Sequence, residues 1–417
     1  MIKKYLLLFF IFETLTYANT VNLDNLLTYL EKTSYQKEIY KVKKNRDLKR
    51  EEIYKLDDFN GIKTSGETEY SNDDKGYKNS GKIQYGAFYV QGKNWKNDDS
   101  SVQVGIEKNI KDLIYSESNS NLTKLNIEKS IESIDFKRKL EEQKVDLTNL
   151  YRDYINIRLE IAIRENALKT LDKEREILQK SYTMGKIPKI DLESLLYSYE
   201  NIELEIEKLE IQKSNTRQQF FYTFKINLDT IELELIDSKN IQINKYLGKI
   251  GEKDLYKSSL SKNITEENIK YLNYKNSVPE VTLGAERDSD DNDNRVFLKI
   301  SKDLFYKDIN LENEKSSLKE QDIELNQKVR DVKSERIEYK NRYINLKKEY
   351  AVLRNNRTLE ESKYNVKKLE SQLGKIGYLD VMESFNDYLE LKINEEKANN
   401  TLNALIYEIK IRGEQNI

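Results

Sequence analysis

Two phrases in this chain, "MGKIPKIDLESLLYSYE" at 184–200 and "LGKIGYLDVMESFNDYL" at 373–389, nearly repeat each other across 374 − 185 = 189 residues. Each sits between long charged stretches whose apolar residues recur at steps of three, four and seven. Before the first phrase these are Leu140, Leu147, Leu150, Tyr154, Ile157, Ile161, Leu168, Leu171 and Leu178. After it come Leu192, Leu195, Tyr199, Ile202, Ile206 and Leu209. The stretch before the second phrase has Leu325, Val329, Val332, Tyr339, Tyr343, Leu346, Tyr350 and Leu353, interrupted by Arg336. Such spacing makes the narrow apolar seam of a coiled coil, with the tyrosines as seam packing. A helix over 112–182 would be on the order of 100 Å long. A rod of that length cannot close on itself and needs lateral partners.

The repeated phrase then reads as a reversal between antiparallel helices. Gly185 and Gly374 suit a helix C-terminus, where the backbone turns to positive φ. Pro188 forbids simple continuation of the first helix, and Gly377 replaces it in the second copy. Asp191 and Asp380 stand where a carboxylate can cap the following helix. Two prolines and 14 glycines in 417 residues favour long uninterrupted helices elsewhere.

Composition removes several kinds of chemistry. The chain has no His and no Cys, so imidazole bases, thiol nucleophiles and most transition-metal ligands are missing. No cofactor or metal is expected, nor an enzyme. A net charge of −2, from 71 basic and 73 acidic residues, gives no field for nucleic acid. The N-terminal "MIKKYLLLFFIFETLTYANT" has the layout of an export signal over 1–18, with cleavage after Ala18 and no Cys to take a lipid. No later run approaches the ~18 apolar residues of a membrane helix, so any bilayer contact falls to strands.

Strand-like alternation occurs in two places. Over 62–108, "KIQYGAFYV" offers Ile83, Tyr85, Ala87 and Tyr89, and "SVQVGIEK" offers Val102, Val104 and Ile106 against Gln103 and Gly105. Over 280–301, "PEVTLGAE" offers Val281, Leu283 and Ala285, and "RVFLKISK" offers Val296, Leu298 and Ile300. The stretches 91–100 and 287–294 are polar and read as loops. Segments of this length with one apolar face fit a membrane β-barrel or a half-buried soluble sheet. The four or five short strands expected per chain cannot enclose a pore, and an open sheet would leave unpaired edges in lipid. Several chains would have to pool them.

Each half therefore runs leading helix, strands, long helix, turn, helix, which reads as an internal duplication. After the signal, the first repeat is expected over 19–227, with strands about 62–108 and long helices about 112–182 and 190–225. A linker region follows at 228–258. The second repeat spans 259–417, with strands about 280–301 and long helices about 308–372 and 379–412.

The leading "VNLDNLLTYLEKTS", the strand-to-helix passages "SVQVGIEKNIKDLIYS" and "RVFLKISKDLFYKD", and the paired Gly turns resemble the TolC-like outer membrane efflux protein family over nearly the whole chain. The resemblance implies an α+β membrane fold in which long antiparallel coiled-coil helices form an α-barrel continuing a short β-barrel, closed by trimerisation. It implies twelve strands from three chains, two per half; a third first-half strand at 62–70 would depart from that pattern. It further implies a passive export duct of a tripartite efflux or type I secretion system. The duct would sit in the outer membrane of a diderm bacterium, with its helical tunnel in the periplasm. Its partners would be two further copies, a periplasmic adaptor, an inner-membrane pump and outer membrane lipid. By position, Asp380 and Glu383 match the family's acidic ring at the periplasmic aperture. Gly185, Lys186, Pro188, Asp191, Gly374, Lys375 and Gly377 are the helix-turn and adaptor-contact candidates. The competing reading is a secreted coiled-coil stalk or adhesin, which shares the heptads but has no need of alternating strands.

Overall fold

The structure, a computed structural model, describes residues 19–71, 76–95, 98–289, 294–303 and 307–414. The expected export signal at 1–18 lies outside them. The chain divides into two compact units, and each takes segments from both halves of the sequence. One comprises Met1–Lys37, Lys137–Glu252 and Asp331–Ile417; the other comprises Glu38–Phe136 and Lys253–Arg330.

In the first unit, β1 (Asn19–Val21) leads into α1 (Leu23–Thr33). Asn22 caps α1, its side chain accepting from the Asn25 N–H at 2.9 Å. Leu23, Leu26, Leu27 and Leu30 share one face of this helix, as a spacing of three and four requires, and all are buried. They pack with Leu147, Tyr151, Ile155, Phe220 and Tyr407. Each such side chain contributes roughly 2 kcal/mol relative to exposure. Short β6 (Ile231–Leu233) pairs in parallel with β1. Tyr151 is fully buried and its phenol donates towards the Val21 and Glu234 carbonyls at 3.1 and 2.6 Å, tying both strands to the helix behind them.

The helix expected from 112 begins five residues later, at Glu117, and the other ends of the long helices fall within one residue of their expected positions. Those of the first half end and begin as α4 (Glu117–Thr183) and α5 (Lys189–Phe224). In the second half, α8 (Ile309–Gln372) and α9 (Tyr378–Gly413) do the same. We number two short helices, α3 (Ile110–Ile114) and α6 (Ile243–Leu247), and the longer α2 (Tyr35–Leu56) and α7 (Glu252–Ser277) in chain order. The leading helix of the first half is broken in two at Ser34, whose extended backbone stops α1 and whose hydroxyl meets Gln143. Towards the turns, Leu171 and Leu195 pack with Val381, Phe385, Leu389 and Ile393 in one buried cluster. Tyr339 is buried as seam packing and donates to Glu408 at 2.7 Å; Tyr343 is half-buried beside it.

The second unit holds a six-stranded antiparallel sheet in the order β2-β3-β4-β5-β7-β8. Its strands are β2 (Ile62–Ser71), β3 (Gly76–Tyr85), β4 (Phe88–Trp95), β5 (Asp98–Asn109), β7 (Glu280–Asp288) and β8 (Asn294–Ser301). The first half thus supplies four strands and the second half two. This corrects the two-per-half pattern that the resemblance implied. The 62–70 segment is a strand, and a further strand arises because "KIQYGAFYV" is a hairpin. Gly86, at φ 60°, supplies the positive φ that a two-residue turn demands. Stretch 91–100, expected as a loop, is mostly strand.

Candidate functional site

The pairing register sorts the sheet's residues into two faces of opposite chemistry. On one, Ile62, Tyr85, Phe88, Ile106, Ala285 and Val296 stand in a single cross-strand row. Ile83, Val90 and Val104 form the next row, and Leu283 with Leu298 lies on the other side. The large side chains of these rows are all exposed, Val296 by 82%. Tyr70 and Tyr77, ring centroids 5.1 Å apart, close this face at the far end of β2 and β3. From Tyr77 to Tyr85 is about 27 Å along the strand. The height between these aromatic rows is that of a membrane strand's belt. Its apolar side chains are concentrated at the Tyr85 end, with Thr64, Gly66, Thr68, Asn79 and Gly81 towards Tyr77.

The opposite face is polar and bonded across strands. Lys82 on β3 pairs with Glu107 on β5 and lies 4.2 Å from the Tyr89 ring between them. Tyr89 in turn crosses β5 to donate to Glu286 on β7 at 2.7 Å. Gly105 makes that crossing possible, because a Cβ there would stand 2.7 Å from the Tyr89 ring. Gln103 and Asp288 bond at 2.7 Å in a buried pair. Tyr89, expected on the apolar face with Ile83 and Tyr85, lies instead on this polar face. The Gly86 turn reverses the chain between them, so parity does not carry through. None of Lys82, Tyr89, Gln103, Glu107, Glu286 or Asp288 stood among the candidate residues; the polar half of the alternation was the available signal. β2 and β8 are the outer strands, each paired on one side within the chain.

At the other candidate positions, the two hairpin turns share one backbone geometry. Gly185 and Gly374 both have φ 69°. Lys186 donates its N–H to the Ser181 carbonyl and Lys375 to that of Glu370, each at 2.9 Å, while Gly185 and Gly374 reach Tyr182 and Ser371. This paired pattern is the Schellman closure of a helix. Pro188 and Gly377 then stand as extended N-cap residues at φ −73°, ψ 159° and φ −72°, ψ 159°, so the residue difference leaves the path unchanged. The side chains of Lys186 and Lys375 are exposed.

The aspartates differ. Neither Pro188 nor Gly377 makes a side-chain cap bond. Asp191 is buried and accepts the backbone N–H of Tyr378, first residue of α9, at 3.1 Å. It therefore caps the helix of the other hairpin rather than its own, which corrects the cap expected from spacing. The reason is tertiary: the start of α9 packs against the first turn of α5, and Asp191 Oδ1 lies beside Gly377. Asp380, its counterpart, is exposed, and so is Glu383 one turn further on.

Above the turns, Glu160 on α4 is buried against Lys397 of α9 and Arg164 of its own helix. Burial opposes ionisation of Glu160, but the hydrogen bonds from Lys397 and Arg164 prevail and hold its carboxyl below the usual range. Arg357 bridges Glu361 and buried Glu395 in the same manner. No helix among the described residues is long and apolar enough to cross a membrane.

Solved structures share this combination of a two-faced sheet and paired long helical hairpins. The solved structure of CusC, reported for folding and transmembrane channel formation, covers 95% of this chain and 93% of its own, with a TM-score of 0.70 at 10% identity. VceC of Vibrio cholerae, an outer membrane protein, covers 94% and 96% at a TM-score of 0.66 and 13% identity. The Campylobacter jejuni CmeC outer membrane channel covers 95% and 87% at a TM-score of 0.60 and 10% identity. At these identities the likeness is one of fold. No protein-family profile and no curated protein matches the chain.

Proposed function

We propose that this chain is the outer membrane channel-tunnel of a tripartite efflux or type I secretion system, a passive export duct without catalytic activity. The observation that supports it most is the sheet: an exposed apolar face closed by aromatics, a cross-bonded polar face, and outer strands β2 and β8 left to pair elsewhere. In lipid each unpaired edge group costs several kcal/mol, so the edges must meet. Three copies, joined β8 to β2, make one cylinder of three times six strands. Barrel diameter grows about linearly with strand number, so this one is wider than a twelve-stranded relative. The polar face lines the lumen. The two halves arise by internal duplication, divided at 19–227, 228–258 and 259–417 as the sequence indicates.

The helical hairpins form the periplasmic tunnel and work with an adaptor and an inner-membrane pump. Gly185, Lys186, Pro188, Gly374, Lys375 and Gly377 belong to the turns that the adaptor grips. Asp380 and Glu383, in three copies, surround the aperture and draw in cationic solutes. A stalk has no use for an exposed apolar sheet face, and nothing favours that alternative.

Membrane fractionation followed by native mass measurement tests the proposal. A trimer recovered from outer membranes supports it, and a soluble monomer refutes it. In planar bilayers, Asp380→Ala with Glu383→Ala should weaken block by multivalent cations. An unchanged block removes these two residues from the aperture.

A further inference from the structure

On the outward face of the sheet the apolar run does not begin and end at one level on every strand. On β7 it covers Val281, Leu283 and Ala285 and stops at Arg287; on β8 it covers Ile300, Leu298 and Val296 and stops at Asn294. On β5 the run starts beyond Lys108 and covers Ile106, Val104 and Val102. Lys108 lies opposite Leu283 and Arg287 opposite Val104, so each bounding charge faces the middle of its neighbour's run. Both edges therefore climb from β7 to β5. The upper edge goes on to Asn94 on β4, Asn79 and Tyr77 on β3, and Tyr70 on β2. The row of Asn294 passes through Arg287, Val104, Val90 and Ile83 to Thr64, and Tyr70 stands 70 − 64 = 6 residues beyond it. Six residues are about 20 Å of strand, gained over five strand spacings of ~4.8 Å, a slope of roughly 40°. A plane perpendicular to a barrel axis crosses the rows at the angle by which the strands tilt, about 35–45° in membrane barrels. One bilayer plane, cutting the sheet diagonally, accounts for every strand.

The upper edge of that plane has its own chemistry. Asn294, Arg287, Asn94, Asn79, Tyr77 and Tyr70 follow one another along it, and all are exposed. Arg287 carries a planar cation whose fork of donors matches a phosphate. The asparagines offer amide donors and acceptors. Tyr70 and Tyr77, inclined at 59° with centroids 5.1 Å apart, present ring faces and hydroxyls at one end. Among the described residues no carboxylate stands on this edge. The opposite face of the same sheet carries Glu67, Glu69, Glu107, Glu286 and Asp288. A sheet bathed in water on both sides has no reason to confine its acids to one of them.

We propose that this edge binds the headgroup of an anionic, saccharide-bearing lipid of the outer leaflet, Arg287 taking a phosphate and the Tyr70–Tyr77 pair a sugar ring. The inference rests on the outer membrane duct proposed above and adds which lipid it selects and where. The CH face of a sugar packs on a phenol ring, hydroxyls reach the amides, and the guanidinium neutralises the phosphate. Lys108, at the other boundary, is engaged by Asp58 in an ion pair of its own. The β2–β3 hairpin, by which the first half exceeds two strands, supplies the sugar end of the line. In three copies the line recurs around the outer mouth.

The chain contains no Cys, so a single introduced thiol carries the only label. Full-length trimer bearing Asn79→Cys, Asn294→Cys or Val104→Cys is labelled with a fluorophore and placed in bilayers with headgroup or mid-chain quencher lipids. Positions 294 and 104 share one row, yet 294 should be quenched from the headgroup and 104 from mid-chain. Position 79 should match 294. Equal depths at 294 and 104 overturn the proposal. Binding is read on the natural trimer in neutral detergent with two fluorescent probes, lipopolysaccharide and phosphatidylglycerol. Lipopolysaccharide should bind roughly tenfold tighter, and Arg287→Gln or removal of its phosphates should each lose roughly tenfold. Tyr70→Ala with Tyr77→Ala should bind lipopolysaccharide no better than its sugar-trimmed form. Equal affinity of the natural trimer for both probes, or no loss in Arg287→Gln, overturns the proposal and leaves the duct standing. A chain that never enters outer membranes overturns both. Should a binding variant fail to form trimer by native mass, the depth labels and the phosphate-free probe decide with Arg287 and the tyrosines in place.

Discussion

The turn at 185–191 and the turn at 374–380 have the same dihedral angles and the same closing hydrogen bonds, yet their aspartates live in different surroundings. Asp191 is buried and bonded to the first residue of another helix; Asp380 is exposed. Glu160 and Glu349 repeat the contrast higher up, one buried between two cations and one exposed. Local sequence made the backbones alike. What separates them is whether a second hairpin is present to cover the side chain. In the first hairpin Asp191 and Glu160 face α9 of the second, and in the second hairpin Asp380 and Glu349 face no helix of the same chain among the described residues.

The sharpest way to break this contrast is at the buried charge. Glu160→Gln leaves Lys397 and Arg164 short of an acceptor and should cost about 2 kcal/mol, less than a fully buried pair because Lys397 is partly exposed. Glu349→Gln in dissociated chains should be nearly neutral. Thermal unfolding of the two variants compares them, and equal losses would mean that the contrast in burial is not energetic.

Asp191→Ala should follow at about 2 kcal/mol, since it orphans a buried N–H that now bonds a charged acceptor. Asp380→Ala should change dissociated chains by less than about 0.5 kcal/mol. If the assembled trimer covers the second tip, the gap narrows there. Protease sensitivity of the tips, read in both states, measures it.

Gly185→Ala and Gly374→Ala should each cost about 1 kcal/mol, because an L side chain is strained at φ 69° while the space around either glycine is open. The two losses should be equal in unfolding measurements. A difference would show that the turns are not equivalent even in backbone.

The smallest expected effect is on acid stability. Glu160 has a depressed carboxyl, so its contribution is complete above the unfolded value of about 4.3 and fades as pH falls through the lower folded value. Helical signal followed from pH 6 downward should show this loss in the natural chain and not in Glu160→Gln. Identical acid curves would remove the pair from the account.

In the sheet, β5 and β8 were legible because every second residue is a large apolar one. β2 was less so: Lys63, Ser65, Glu67 and Glu69 alternate with Thr64, Gly66 and Thr68, polar against polar, and only Ile62 and Tyr70 mark a face. The hairpin at Gly86 was missed because alternation alone does not show where a chain reverses, and Tyr89 changed faces with it. The polar residues that lace the other face are unremarkable one by one; Tyr89 matters only because Gly105 lies beneath it, two strands away from the Glu286 it reaches.

Read alone, the amino-acid order determined the long helices and the paired turns, though not the breaks at Ser34 and before Glu117. These depend on heptad spacing, scarce proline and a glycine that must take positive φ, all properties of a few neighbouring residues. The tertiary structure decided the strand count per chain, the face on which Tyr89 lies and the helix that Asp191 caps. The Asp191 cap joins groups 187 positions apart, which no local pattern encodes. The extra strand and the face of Tyr89 turn on where the chain reverses at Gly86, which alternation does not mark.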